Sequence, residues 1–454
     1  MDGSNATTVT LASLIQDEAI PMDQVRSKGY GCMMNLVQAL IGVVPTCDSY
    51  LEIWSTGFRT YNLIIPNLLN LPFTLITTSK DLKADLGLAL YASSRAAECA
   101  YCAVHCCSYA LRRGTDEKAF RSYRGRSPRQ DAVWHMAQVL STPLEAADSM
   151  KEERRQKVKA LQEFYSKQEI EQLAFGVAMM GFLNKFMDAM GIPLEPELFR
   201  DTAWLLSETG WSAGQHDLNG ELQKTHGTEN NDAPASSAPP TDSVSTYARI
   251  ALNLPGAILL ERSWLKGLPS DAASGRSYLK DNFHYDEPLI TQFRLTRRVW
   301  RSALAAILRE NLDPKQTAIG IGRKALAGLV FATVAGNDKL QKQATVLAEA
   351  YNVDATAIGD VREMAATLDP ATMERASSEL KGELDDKYVA TVLLAGASAS
   401  SPAQVTPELA RCVRESLSAA EIVEVVVWIS IQQLLHRLDI FVGCCGDEDQ
   451  TEND

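Results

Sequence analysis

The sequence predicts an all-α protein, and three observations carry that expectation. Apolar residues recur at three- and four-residue spacing over long stretches, the period of an amphipathic helix. Alternating runs of β-branched residues, which mark half-buried strands, are scarce. Two stretches share one helix-start signal: "YSKQE" and "LSAAE" each place a Ser three residues before a Glu. In that arrangement the two side chains satisfy each other's free backbone N–H groups at a helix N-terminus.

The chain has 454 residues, of which 46% are hydrophobic and 22% charged, enough for two or three domains with real cores. Its net charge of -13 argues against nucleic acid as a partner, because neutralising phosphates needs an excess of Lys and Arg. The apolar run "CMMNLVQALIGVVP" is short and carries Asn35 and Gln38, so it reads as a core helix rather than a membrane span. The first residues have no basic segment followed by an apolar one, and a cytoplasmic location is the expectation.

Along the chain, residues 25–208 read as a first helical unit. Residues 209–247 are rich in Gly, Ser, Pro, Asn and Asp and read as a disordered linker. Residues 248–445 read as a second helical unit, and 446–454 as an acidic tail. The two units correspond. "EIEQLAFGVAMMGFLNKFMDAMG" (169–191) lies on "EIVEVVVWISIQQLLHRLDIFVG" (421–443) without a gap, pairing Glu169 with Glu421, Lys185 with Arg437 and Gly191 with Gly443. Upstream, "DLKADLGLALYASSRAAECAYCAVHCCSYAL" lies on "DPKQTAIGIGRKALAGLVFATVAGNDKLQKQATVLA". That alignment sets Cys99 on Asp338, Cys102 on Gln341 and His105 on Ala344. Only the first unit keeps the thiols.

Nine cysteines are spread unevenly, and four of them (Cys99, Cys102, Cys106 and Cys107) crowd into one short stretch with His105. The stretch follows good helix formers, which predicts one long helix through it or a helix kinked near the cysteines. At about 100° per residue, Cys99, Cys102 and Cys106 share a face. His105 lies within reach of the same pocket, and Glu98 is four residues before Cys102. A structural zinc site needs ligands around a tetrahedron, and one rod cannot supply them; no second cluster exists. Buried cysteines filling a core remain an alternative. A redox dithiol accounts for more of the polar company. A thiolate is the nucleophile, and a Glu–His pair can deliver the proton that a departing hydroxide or alkoxide needs. No metal and no cofactor is expected.

"ECAYCAVH" on a helix, followed by "YSKQEIEQLAFGVAMMGFLNKFMDAMGIPLE", resembles the carboxymuconolactone decarboxylase/AhpD-like superfamily over most of residues 30–205 and more weakly over 248–443. The resemblance implies an all-α chain of two fused AhpD-like units, usually oligomeric. It implies a thiol-dependent peroxidase or dithiol oxidoreductase acting on a hydroperoxide or small organic substrate, with an unidentified dithiol reductant. Cys102 would attack the peroxide, Cys99 would resolve it, and His105 would belong to the proton relay. The family's acid position holds Gly87 here, and its histidine position holds Cys106, with His105 one step earlier. Glu98 or Asp85 is the candidate replacement acid. The second unit, with Asp338 and Gln341 at the thiol positions, is expected to be structural, a permanent partner for the first.

Alternatives from other classes are a decarboxylase-like lyase and a non-catalytic helical oligomerisation protein. Redox action predicts a depressed Cys102 pKa and a Cys99–Cys102 disulfide; a scaffold predicts inert, buried thiols. Residues 112–129, "RRGTDEKAFRSYRGRSPR", hold seven basic residues. They read as a solvated face neutralised by acidic neighbours, or else as a mouth for anionic substrates. Of the six histidines, only His105 has chemical neighbours in the sequence.

Overall fold

In the computed structural model every described element is a helix. The described residues are 9–71, 74, 78–142, 148–218, 220, 222, 239, 241–293, 298–366 and 385–445, and no strand occurs among them. The protein is all-α. The helices used below are α1 (Gly31–Ile41), α2 (Ser55–Leu68), α3 (Lys80–Ala96), α4 (Ala100–Arg112), α5 (Pro128–Ser141), α6 (Lys167–Met190), α7 (Pro196–Leu206), α8 (Val244–Trp264), α9 (Arg298–Leu312), α10 (Ile321–Val334), α11 (Asp338–Ala350), α12 (Asp386–Ala399) and α13 (Ala419–Cys445).

Local chemistry sets the helix ends. Both anticipated capping boxes form. Ser166 and Glu169 open α6, with Ser166 N donating to Glu169 Oε2 at 2.9 Å. Ser418 and Glu421 open α13, with Ser418 N donating to Glu421 Oε2 at 2.8 Å and Glu421 N donating to Ser418 Oγ at 3.3 Å. A third box, Ser127 with Gln130, opens α5, and Pro128 fills the first helical position where no N–H is needed. α6 stops at Gly191, which turns left-handed at φ 63°. A Cβ there would also lie 2.6 Å from Thr10 Cβ, so the stop and the docking of the N-terminal segment both need glycine.

α6 and α13 lie against each other at the centre of the molecule, one from each half. Nearly every residue of both is buried, including Phe182, Trp428 and Arg437, and one continuous apolar core runs from Leu11 to Cys444. α13 is long and apolar enough to cross a membrane by length and composition. In the fold 89% of its most apolar window is buried against other helices, as in a core helix.

Two helical hairpins, α3–α4 and α10–α11, pack beside these central helices and match bond for bond. Ala97 N donates to Ser93 O as Ala335 N does to Phe331 O. Cys99 N donates to Ser94 O as Asn337 N does to Ala332 O. The left-handed residue between the helices is Glu98 (φ 56°) in one and Gly336 (φ 63°) in the other. At the far ends, Thr115 N bonds Ala110 O and Val353 N bonds Ala348 O. Of the two expectations, the unbroken helix is overturned and a break near the cysteines is found, as a full turn at 97–99 between two helices. The geometric match also moves the sequence alignment by one residue. Cys99 corresponds to Asn337, Cys102 to Leu340 and His105 to Gln343, not to Asp338, Gln341 and Ala344.

The stretch 209–247 is only partly what its composition suggests. Residues 209–218 are folded onto the first half: Trp211 Nε1 donates to Ala100 O at 3.0 Å, and Leu194 N donates to His216 O at 3.0 Å. Apolar and aromatic residues inside this polar stretch anchor it, and α8 already begins at Val244. Residues 219, 221, 223–238 and 240, like the acidic tail 446–454, lie outside the described residues.

Candidate functional site

The turn between α3 and α4 places Cys99 at the N-cap of α4 and Cys102 three residues on. Side chains at these two positions face each other at a helix start, as in a capping box. Here sulfur takes the cap's role: Cys102 N donates to Cys99 Sγ at 3.4 Å. All nine cysteines are free thiols. Cys99 is 1% exposed and Cys102 3% exposed. Burial pushes the Cys102 thiol well above its ordinary value, and the Cys99 side chain adds to this, so the depressed value expected for a redox centre is not what the resting fold provides. Cys106, one turn further, is likewise pushed up, to about 12, by burial; it meets Ser94 Oγ at 3.5 Å and Met180 Sδ at 3.6 Å.

Cys102, Cys106 and His105 open onto one apolar cavity of about 80 Å³, walled by α1, α2, α4 and α6 and including Tyr61, Tyr101 and Leu183. His105 Nε2 lies 2.8 Å from Glu195 Oε2. Tyr101, whose ring stacks on His105 at 4.3 Å between centroids, donates its hydroxyl to Glu195 Oε1 at 2.7 Å. Thr46 N donates to the same oxygen at 2.5 Å. Burial alone would raise the Glu195 carboxyl, but the adjoining His105 and these donors outweigh it and hold Glu195 at about 2. A charged carboxylate therefore backs the imidazole and fixes its orientation.

Glu195 was not singled out in the sequence. It follows α6 in "GIPLEPE", between Pro193 and Pro196, where two fixed φ angles pin the backbone. The acids that were singled out go elsewhere. Glu98 is an exposed turn residue. Asp85 is buried and held by Arg129 Nε at 2.6 Å and the Tyr165 hydroxyl at 2.5 Å. At Gly87 a Cβ would stand 2.6 Å from Ala110 Cα across the hairpin, so no acid fits there. His216, read as solitary, is buried with Tyr101 on one side, at 5.7 Å between rings, and bonds Ile192 O through Nδ1 at 2.7 Å. Burial lowers it to about 4.

The basic stretch 112–129 is compensated. Arg112 faces Asp201, Arg113 faces Asp242, Arg121 faces Glu117 and Glu208, Arg126 faces Asp131, and Arg129 faces Asp81 and Asp85. Two other cations sit deeper. Lys185 of α6 donates to Ala399 O and Ser401 Oγ at 2.8 Å, and burial lowers it to about 7 despite Asp188 nearby. Arg437 of α13 reaches across to the first half, donating to Ser93 Oγ at 2.7 Å and Val177 O at 2.9 Å. Among the described residues no group of three or more metal-ligating side chains converges. Comparison with family models, with curated proteins and with solved structures returns no match.

Proposed function

We propose that this protein is a thiol-dependent peroxidase of AhpD-like type, in which Cys102 attacks a small hydroperoxide and Cys99 resolves the product. One observation carries the reading: Cys102 and His105 line the same cavity, with Glu195 behind the imidazole and Cys99 Sγ against the Cys102 N–H. The Cys102 proton passes to His105. The thiolate displaces the distal peroxide oxygen, forming an S–O bond as the O–O bond breaks, and His105 protonates the departing alkoxide. Cys99 then expels water from the sulfenic acid, leaving a Cys99–Cys102 disulfide. Two thiols and one hydroperoxide yield one disulfide, one alcohol and one water, and an external dithiol restores the pair.

The cavity limits the substrate. A dry cavity of about 150 Å³ holds a benzene molecule, so 80 Å³ suits hydrogen peroxide or a short alkyl hydroperoxide. The same proposal reads the two halves as copies of one AhpD-like unit, supported by the matched hairpins, and includes a cytoplasmic location and self-association.

The test is mass spectrometry of the reduced protein before and after a small excess of hydrogen peroxide. Loss of two hydrogens mapped to Cys99 and Cys102, absent in Cys102→Ser, is the expected result; unreacted thiols throughout would overturn it. One observation favours a non-catalytic reading instead: both sulfurs are buried and the Cys102 thiol is pushed up. The decarboxylase-like alternative rests on the His105–Glu195–Tyr101 set, which could move protons without sulfur. It predicts lactone turnover that survives replacement of both cysteines.

A further inference from the structure

The second half carries one charge whose partner is missing. Arg437 is 2% exposed, and among the described residues no carboxylate lies within ion-pair distance of it. Two of its N–H groups are matched by Ser93 Oγ and Val177 O, while its buried Nε has no hydrogen-bond partner. A buried guanidinium stays charged at neutral pH, and burying it without an anion is costly. The fold makes room for it all the same: a Cβ at Gly181 would stand 2.9 Å from Arg437 Cδ, so α6 carries glycine where this side chain passes.

What faces Arg437 is the dithiol. Ser93 lies next to Ser94, whose carbonyl receives Cys99 N at 3.1 Å and whose hydroxyl touches Cys106. Cys102 and Cys99 lie near enough for their charge to act on Arg437. From the neighbouring elements Lys185 and Asp188 on α6 and Cys106 on α4 lie near the same thiols, Glu98 in the turn acts on Asp188, and His436 and Arg154 lie beyond Arg437. Asp188 is engaged by Ala403 N at 2.5 Å and Gln215 Nε2 at 2.9 Å.

The geometry points to Arg437 as the counter-ion of the thiolate that the dithiol forms, a positioning residue supplied by the half whose own hairpin has no thiols. The inference rests on the dithiol reading above. Loss of the Cys102 proton leaves a sulfur anion near a guanidinium already in place. The second half is then part of the reaction centre as well as a structural partner.

The test is the pH profile of iodoacetamide alkylation, mapped by peptide to Cys99 and Cys102. Replacing Arg437→Met is expected to raise the midpoint by about one to two pH units, the effect of removing an opposite charge. Arg437→Lys, which keeps the charge, is expected to stay near the wild type. Ser93→Ala, which loosens the guanidinium without deleting it, should shift the midpoint in the same direction by less. It serves as the readout if Arg437→Met does not fold. Unchanged profiles in the folded variants would overturn the inference. The peroxide test is independent: a wild type that forms no disulfide removes the dithiol reading, whereas a wild type that forms one, with unmoved profiles, removes only Arg437.

Discussion

The α3–α4 and α10–α11 hairpins are the same construction used twice. In the first, the cap is sulfur: Cys102 N rests on Cys99 Sγ at 3.4 Å. In the second it is an amide: Leu340 N rests on Asn337 Oδ1 at 3.0 Å, and the Asn337 amide also reaches Asp439 at 3.2 Å. One turn on, His105 binds the charged Glu195 beside a cavity, while Gln343 takes Asp286 N at 3.1 Å and gives to His284 O. The cap and the tether that are amides in the second hairpin are a thiol and an imidazole in the first. The comparison shows that the backbone needs an acceptor at the cap and a tether one turn later, and does not need thiols or an imidazole. Their presence in the first hairpin is not explained by folding alone.

The largest expected effect separates the two tethers. Glu195→Gln keeps the shape of the His105 contact but removes the charge. Disulfide formation under hydrogen peroxide, followed by quenched-flow mass spectrometry, should slow by about a hundredfold, the lower end of what a proton-transfer group contributes. A rate within a factor of two would reduce the dyad to a strut like Gln343.

A smaller effect tests how tightly the first hairpin is closed. Position 87 faces Ala110 so closely that an added Cβ meets backbone, whereas the matching residue of the second hairpin is Ala325, which already has one. Gly87→Ala should cost about 1–3 kcal/mol by urea unfolding, as overpacking does. A neutral result would mean that the hairpins are interchangeable there.

The smallest concerns the buried histidines, His216 beside the first hairpin and His436 beside the second. Burial lowers His216 to about 4 and His436 to about 3, below the ordinary 6.5. Between pH 6.5 and 4 the unfolded chain binds protons that the folded one refuses, so stability falls as pH falls through that window and is unaffected above it. Each histidine contributes a slope of about 1.4 kcal/mol per pH unit there. His216→Gln should flatten the dependence by one proton's worth in urea titrations at successive pH values. An unchanged slope would show that His216 is protonated in the native fold.

What could be read from the sequence was local. The helices, and the boxes at Ser166–Glu169 and Ser418–Glu421, follow from spacing and from side chains that act within one turn. The break at 97–99 was hidden because Glu98, not glycine, takes the left-handed residue there. In the second hairpin Gly336 carries the usual cue. That missing signal is also why the alignment slipped by one. Glu195 and Arg437 reach their partners from 90 and more positions away along the chain, so no window of sequence contains the relationship. The helix face of Cys102 and His105 was legible from a 100° step; the carboxylate and the cation that address it were not.

The pairing of α6 with α13 has a further consequence. Each buries the face that the other would expose, and neither half closes its own core. In effect the chain is a heterodimer that never dissociates. A truncation that ends after the first half would therefore not leave a smaller working protein. It would leave a long apolar helix seeking a partner, with aggregation as its fate, and only supplying the missing half in trans would rescue it.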